Sequence, residues 1–277
     1  MTHTLSEVTN ELVSRAADGE AGAVEAIVRA LEQPVYAVAL RMLRDRQDAE
    51  DATQEALIRI VTRLAQFRGE ARFSTWAWRI AVRRILDFRG RPAAAAAANF
   101  TEFAVDLADG LDGNAAERTE EAILHQQLKV ICSRAMLQCL DPDHRIAFVL
   151  GEILALSSQE AAEILEIEAP AFRKRLSRAR AALVEFLNRN CGVFNPSAPC
   201  ACHRRLGRAL ELRRIQPSSL EAERGELVRL RAHLSTLSEV ERLAEYYRSD
   251  LGIRSKRDFI ASVRSMLGRL GQPMENA

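Results

Sequence analysis

The chain has 277 residues, 48% hydrophobic and 28% charged, a balance that suits two or three small globular domains and excludes a disordered or fibrous protein. Its formal net charge is +1, so a uniformly basic nucleic-acid coat is excluded and any DNA-binding surface has to be local. The opening MTHTLSEVTN lacks a basic-then-apolar signal pattern and no apolar run reaches the roughly 20 residues of a membrane span, so a cytoplasmic chain without membrane attachment is expected.

Helical periodicity dominates, and alternating β-branched runs are missing, which predicts an all-α fold. The first block covers residues 17–91. In it Val24, Ile27, Val28 and Leu31 begin an apolar stripe that continues past Pro34 through Val38, Leu40 and Leu43. A second helix is expected from near Asp48, burying Ala52, Ala56, Leu57, Ile60, Val61 and Leu64. A third is expected from near Ser74, burying Trp78, Ile80, Ala81, Ile85 and Leu86. Residues 92–115 read as a linker: an alanine run, then an acidic stretch holding Gly110 and Gly113. A second helical block spans 116–190, a Gly/Pro/Cys-rich segment 191–203, and a helical C-terminal extension 204–277.

Within the second block, Leu156 to Leu165 reads as a short helix capped by Ser157 or Ser158. The turn Glu166-Ile167-Glu168 leads to Pro170, which suits the first turn of another helix. That helix carries Phe172, Leu176, Ala179 and Leu183 inward and Arg173, Lys174, Arg175, Arg178 and Arg180 outward. A short helix, a tight turn and a basic helix describe a helix-turn-helix, whose second helix enters the DNA major groove. Arginines there fork onto guanine edges while other cations neutralise phosphates. A solvated basic face in a helical bundle is the plainer reading.

In the first block, Phe67, Phe73, Trp76 and Trp78 are interleaved with Arg68, Arg72, Arg79, Arg83, Arg84 and Arg89. Rings among cations suit single-stranded DNA, because bases stack on the rings and cations track the backbone; anchoring a small core is the competing role for any one ring. Asp45, Asp48, Glu50, Asp51 and Glu55 make an acidic helix start, which favours the helix dipole and also suits a basic partner surface.

These residues carry a resemblance. Asp48-Ala49-Glu50-Asp51-Ala52-Thr53-Gln54-Glu55-Ala56, Phe67-Arg68-Gly69, and Phe73-Ser74-Thr75-Trp76 through Arg79-Ile80-Ala81 and Asp87 resemble region 2 of the extracytoplasmic-function (ECF) subfamily of sigma-70 sigma factors. Leu140-Asp141-Pro142-Asp143-His144-Arg145, Ala161-Ala162-Glu163-Ile164-Leu165 and Arg175-Leu176-Ser177-Arg178-Ala179-Arg180 resemble region 4, in the matching order. The resemblance implies a region 2 helical bundle over 17–91, a region 4 helix-turn-helix over 116–190 and a linker threading toward the polymerase active-centre channel. It implies a transcription initiation factor that partners the polymerase core (β′ clamp helices and β flap), promoter DNA and an anti-sigma factor. Asp48, Asp51, Gln54 and Glu55 would dock on the clamp helices. Arg68, Arg72, Phe73, Trp76, Arg79, Arg83 and Arg84 would melt and hold the −10 element. Arg173, Lys174, Arg175, Ser177, Arg178 and Arg180 would read or grip the −35 element. The chain departs from the family at Arg83, where Asn is frequent, and at Ala171, Phe172 and Lys174 of the recognition helix.

Two other readings stay open: a sigma-like adaptor that sequesters an anti-sigma factor, and a stand-alone helix-turn-helix regulator. No P-loop, GxGxxG, HExxH or Ser/His/Asp cluster is present, so no enzymatic activity is expected.

The five cysteines are an odd number, which argues against a disulfide framework. Cys191, Cys200, Cys202 and His203 offer three thiolates and an imidazole to a zinc ion, although their spacing fits no zinc-finger pattern well. A redox switch between Cys191 and Cys200 or Cys202 competes with this, as does a Pro-rich turn with thiols packed as small hydrophobes. No cofactor is required on the last reading. Cys132 and Cys139 lie among apolar residues and are expected in the core. The extension shows a stripe of Leu227, Leu230, Leu234, Leu237, Val240, Leu243 and Tyr247, then Phe259, Ile260, Val263, Met266 and Leu267; a role in tuning the two DNA-binding domains is expected.

Overall fold

Short polar side chains set many of the helix starts. The computed structural model describes residues 8–88, 99–115, 121–215, 226–249, 255 and 257–270. In helix α1 (Asn10–Ala17) the Thr9 hydroxyl accepts from the Leu12 amide at 3.2 Å. Helix α2 (Ala21–Met42) runs through Pro34 without breaking, because Val35, Tyr36, Val38, Ala39 and Leu40 around it are each at most 1% exposed. Burial on that scale outweighs the one backbone bond that proline removes.

Asp45 opens helix α3 (Arg46–Thr62), three residues ahead of Asp48, by accepting from the Asp48 amide at 3.0 Å. Ala49, Ala52, Thr53, Ala56, Leu57 and Ile60 are fully buried at helical spacing, so the carboxylates between them face outward. A 3₁₀ turn (Leu64–Gln66) and a loop lead to helix α4 (Phe73–Asp87), whose Phe73, Ala77, Trp78, Ala81, Val82 and Ile85 complete the bundle core.

The stretch expected as a linker contains helix α5 (Phe100–Ala108), capped by Asn99 on the Glu102 amide at 2.8 Å. Residues 89–98 and 116–120, and with them Arg89 and the alanine run, lie outside the described residues. Helices α6 (Ala122–Gln138) and α7 (Pro142–Phe148) follow, and a π turn (Val149–Ile153) extends α7. Next come α8 (Ser158–Leu165), α9 (Ala169–Asn190), α10 (Cys202–Glu211), α11 (Glu226–Leu234), α12 (Glu239–Arg248) and α13 (Phe259–Leu270). The side chains of Leu227 and Leu267 in the expected stripe are outside the described set. The all-α expectation holds: among the described residues the only extended pairing is an isolated bridge between Cys191 and Cys200.

The described residues fall into two compact units. One takes those between Met1 and Ala95, Val149–Arg173, and those between Ile253 and Ala277; the other takes those between Ala96 and Phe148 and between Lys174 and Gly252. In the second unit Phe100 and Phe103 of α5 pack on Phe186 of α9, with ring centroids 5.0 and 5.7 Å apart. Arg205 of α10 is 1% exposed and donates to Asp106 Oδ2 at 3.2 Å and to the Asp109 carbonyl. Arg214 grips both oxygens of Asp106 at 2.5 and 2.7 Å, and Arg208 donates to Asp109 at 2.9 Å. The acidic stretch is therefore tied to the arginines of the extension.

Candidate nucleic-acid and polymerase interface

The helix-turn-helix is built by a capping box. The Ser157 hydroxyl accepts from the Glu160 amide at 3.2 Å while the Ser157 amide donates to Glu160 Oε2 at 3.1 Å. Glu166 ends α8 in the left-handed region (φ 55°), and the Ile167 amide reaches back to the Ala162 carbonyl at 3.0 Å. A glycine is the usual occupant there, so Glu166 carries a small local strain that the turn requires.

Helix α9 then buries Phe172, Leu176, Ala179 and Leu183, each at most 6% exposed. Arg173, Lys174, Ser177 and Arg178 are exposed on one face, at the i, i+1, i+4, i+5 spacing of a single stripe. Arg175 is placed differently: half-buried, it pairs with Asp143 at 3.0 Å. Arg180 is likewise half-buried and engaged within the chain. Of the six residues expected on DNA here, four lie on the open face, Arg175 braces the helix against Asp143, and Arg180 is half-buried.

The aromatic cluster also divides. Phe73 and Trp78 are 4% and 3% exposed, so both are core residues, Phe73 included although it was expected on DNA. Phe67 and Trp76 are half-buried and meet each other at 5.5 Å, with Phe73 beneath them at 5.6 and 5.7 Å. Arg68 and Arg83 are exposed. Arg72 and Arg79 pair with Glu160 and Glu163 of α8, both at 3.3 Å, so the first helix of the helix-turn-helix lies over this face. Such exposed pairs contribute about 0–1 kcal/mol each and open readily. Arg84 pairs with Glu55 of α3 and with Asp87 at 3.3 Å, a brace between α3 and α4 that joins two residues expected at separate sites.

Along α3 the outward carboxylates are not bare. Arg257 donates to Asp51 Oδ1 at 2.7 Å and to Gln54 Oε1 at 3.0 Å, and the Ser255 hydroxyl donates to Glu50 Oε1 at 2.9 Å. Asp48 is half-buried in the first turn and also has an interaction partner. Nothing in the sequence signals these pairings, because some two hundred residues separate the partners.

Cys191, Cys200 and Cys202 do converge, but their fourth neighbour is Cys132 of α6 and not His203. The four thiols line a cavity of about 20 Å³, with Lys129 and Tyr246 at its wall. His203 lines a different cavity, beside Arg204 and Arg231. Gly192 makes the turn possible: a Cβ there would sit 2.9 Å from the Cys200 carbonyl, whose oxygen accepts from the Gly192 amide at 2.7 Å. Among the described residues no group of three or more His, Cys, Asp or Glu is placed to hold a metal ion. Burial pushes the Cys200 thiol up to about 11 and the Cys202 thiol up to about 12. Both thiols are therefore held in the protonated form near neutral pH. Iodoacetamide is expected to label both cysteines orders of magnitude more slowly in folded protein than in urea, read by mass spectrometry of the peptides. Labelling at the unfolded rate would contradict this.

Comparison with known proteins settles the family. The pattern described as Sigma-70 region 2 matches residues 27–93, and that described as Sigma-70, region 4 matches residues 132–183. The RNA polymerase sigma-H factor of Pseudomonas aeruginosa is 30% identical over 186 residues, covering 64% of this chain and 92% of the relative. The chain belongs to the RNA polymerase sigma factors. The ECF RNA polymerase sigma-E factor of Escherichia coli K12 is 30% identical over 175 residues, 62% of this sigma factor and 90% of the relative, which places it in the ECF group. The solved structure of CnrH in complex with the cytosolic domain of CnrY covers 66% of this sigma factor and 98% of that chain, at 23% identity and a TM-score of 0.48. As a sigma factor the protein is a non-enzymatic transcription initiation factor that binds core polymerase and promoter DNA. Residues 184–277 lie beyond both matched regions. Among the described residues no helix is long and apolar enough to cross a membrane.

Proposed function

We propose that this sigma factor reads the −35 duplex with Arg173, Lys174, Ser177 and Arg178, and captures melted −10 DNA on the half-buried Phe67 and Trp76 flanked by Arg68 and Arg83. The observation that carries the reading is the single exposed cationic stripe of α9, set on a helix whose opposite face is fully buried. The outward side of α3, with Asp48, Asp51, Gln54 and Glu55, docks on the β′ clamp helices, and region 4 meets the β flap. An anti-sigma factor is the expected antagonist and the cytoplasm the expected compartment. The thiol cluster packs as core, with neither metal nor redox chemistry needed. Zinc analysis of the purified protein tests that point: stoichiometric zinc would overturn it.

In this reading Arg72 and Arg79 become available to DNA once α8 leaves α4. Promoter-specific transcription with purified core polymerase tests the whole assignment. Arg178→Ala is expected to weaken binding of a −35 duplex by roughly 1–3 kcal/mol, the worth of one good base contact. Unchanged affinity with intact folding would remove Arg178 from the interface.

A further inference from the structure

The segment that ends the described chain lies on the acidic side of α3, and it is built to stay there. Phe259 is fully buried and meets Tyr36 of α2 with ring centroids 6.2 Å apart, and Val263, one helical turn on, is 2% exposed. Asp258 opens α13 by accepting from the Ala261 amide at 2.9 Å. Arg264 pairs with Glu25 of α2. These contacts hold the residues just ahead of α13 against α3. Arg257 then binds Asp51 and Gln54 at 2.7 and 3.0 Å and lies 3.6 Å from Glu50, while Ser255 takes the other oxygen of Glu50.

The bundle core does not depend on those polar contacts. The buried side of α3 is filled by Ala49, Ala52, Thr53, Ala56, Leu57 and Ile60, and α13 lies outside both matched sigma regions. Arg257 instead presents to Asp51 and Gln54 what a cationic partner helix would present: a planar, multi-donor guanidinium. We propose that Ser255, Arg257 and α13 form an intramolecular cover that competes with core polymerase for the acidic face of α3. This rests on the assignment of Asp51 and Gln54 to polymerase docking. The cover makes polymerase binding conditional, because a competitor that is closed nine-tenths of the time weakens apparent affinity about tenfold.

The same contacts divide naturally into a seat and a latch. Phe259 and Val263 supply a buried apolar seat, and Arg257 supplies the partly exposed latch. A substitution in the latch therefore opens the docking face while leaving the seat in place. Arg257→Glu puts a third carboxylate beside Asp51 and Glu50, so repulsion lifts the segment.

The test is the affinity of full-length protein for purified core polymerase, measured by fluorescence anisotropy for the parent, Arg257→Glu, Arg257→Ala and Asp51→Ala combined with Arg257→Ala. Arg257→Glu is expected to bind roughly tenfold more tightly, and Arg257→Ala to tighten by a smaller factor in the same direction. Unchanged or weaker binding by both Arg257 variants, while the double variant binds more weakly than Arg257→Ala, overturns the cover and leaves the docking face standing. Because Asp51 is also a latch contact, docking is read from Asp51→Ala made in the Arg257→Ala background: binding unchanged from that of Arg257→Ala overturns the docking assignment itself, and the cover with it. Thermal melting of each variant screens for loss of fold, and Arg257→Ala, which adds no repulsion, decides the matter if Arg257→Glu unfolds.

Discussion

Asp106→Ala is expected to destabilise the second unit by roughly 3 kcal/mol, a far larger loss than Arg205→Met, and Arg205→Met is expected to rescue most of it in the double variant. The asymmetry follows from who is left behind. Arg205 is 1% exposed, and without Asp106 its charge keeps only the Asp109 carbonyl, an uncompensated buried cation. Breaking a buried pair from one side costs about 3–5 kcal/mol, and the low end applies because the Asp106 side chain is 29% exposed. In Arg205→Met the remaining carboxylate still has both bonds from Arg214, and the methionine fills most of the vacated stem volume. Urea unfolding, with hydrogen exchange at α5 and α10 to localise the loss, measures all three variants. Equal losses in the two single variants, with simple additivity in the double, would show that the pair is not coupled.

The same cluster carries a pH dependence with a defined sign. Hydrogen bonds from Arg214, then the nearby charges of Arg214, Arg205 and Arg208, hold the Asp106 carboxyl below its ordinary value of 3.8. A carboxylate depressed in the folded state stabilises fully above its unfolded value, and loses that contribution as pH falls through the folded one. The gap between parent and Asp106→Ala is therefore expected to be constant near neutrality and to narrow below about pH 4.

Much of this architecture was legible in the residues, and the illegible part has physical reasons. The helices of the first block follow from apolar spacing, with Asp45 in place of a later start because its side chain reaches the Asp48 amide. A serine cap ahead of α8 and the basic face of α9 could both be read directly, whereas the choice of Ser157 over Ser158 and the reciprocal bond from Glu160 came from the structure. Helix α5 was hidden by composition: Phe100, Phe103 and Leu107 have helical spacing, but the neighbouring Asp and Gly residues carried the stronger turn signal. Local sequence also could not reveal that Arg205, Arg208 and Arg214 neutralise that acidic stretch, or that Cys132 completes the thiol cluster. Pairings across roughly sixty to a hundred residues or more are set by tertiary packing, and a single sequence carries no periodic signal for them. The near-neutral net charge acquires a structural meaning here, since many of the balancing charges meet inside the same chain.

Phe73 and Trp76 pose the sharper experiment, because they sit one turn apart and the sequence offers both as stacking rings. Phe73→Ala is expected to cost about 3–5 kcal/mol of stability, as for a buried phenylalanine whose site cannot collapse. Polymerase and promoter activities should then fall together, following the folded fraction. Trp76→Ala is expected to fold with a much smaller loss, since its ring is half-buried beside Phe67. Its deficit should appear in melted DNA, where losing one base-stacking surface worth about 1–3 kcal/mol lowers the open-complex fraction roughly 5- to 150-fold. Binding of the −35 duplex should stay within about twofold, because α9 supplies that contact. Permanganate reactivity of −10 thymines, measured beside −35 duplex affinity and thermal melting, separates the two residues. Loss of stability in Trp76→Ala equal to that of Phe73→Ala would make both rings core and leave −10 capture to the arginines. The opposite pattern would mean that Arg72 and Arg79, once freed from Glu160 and Glu163, flank a working base-stacking face on α4.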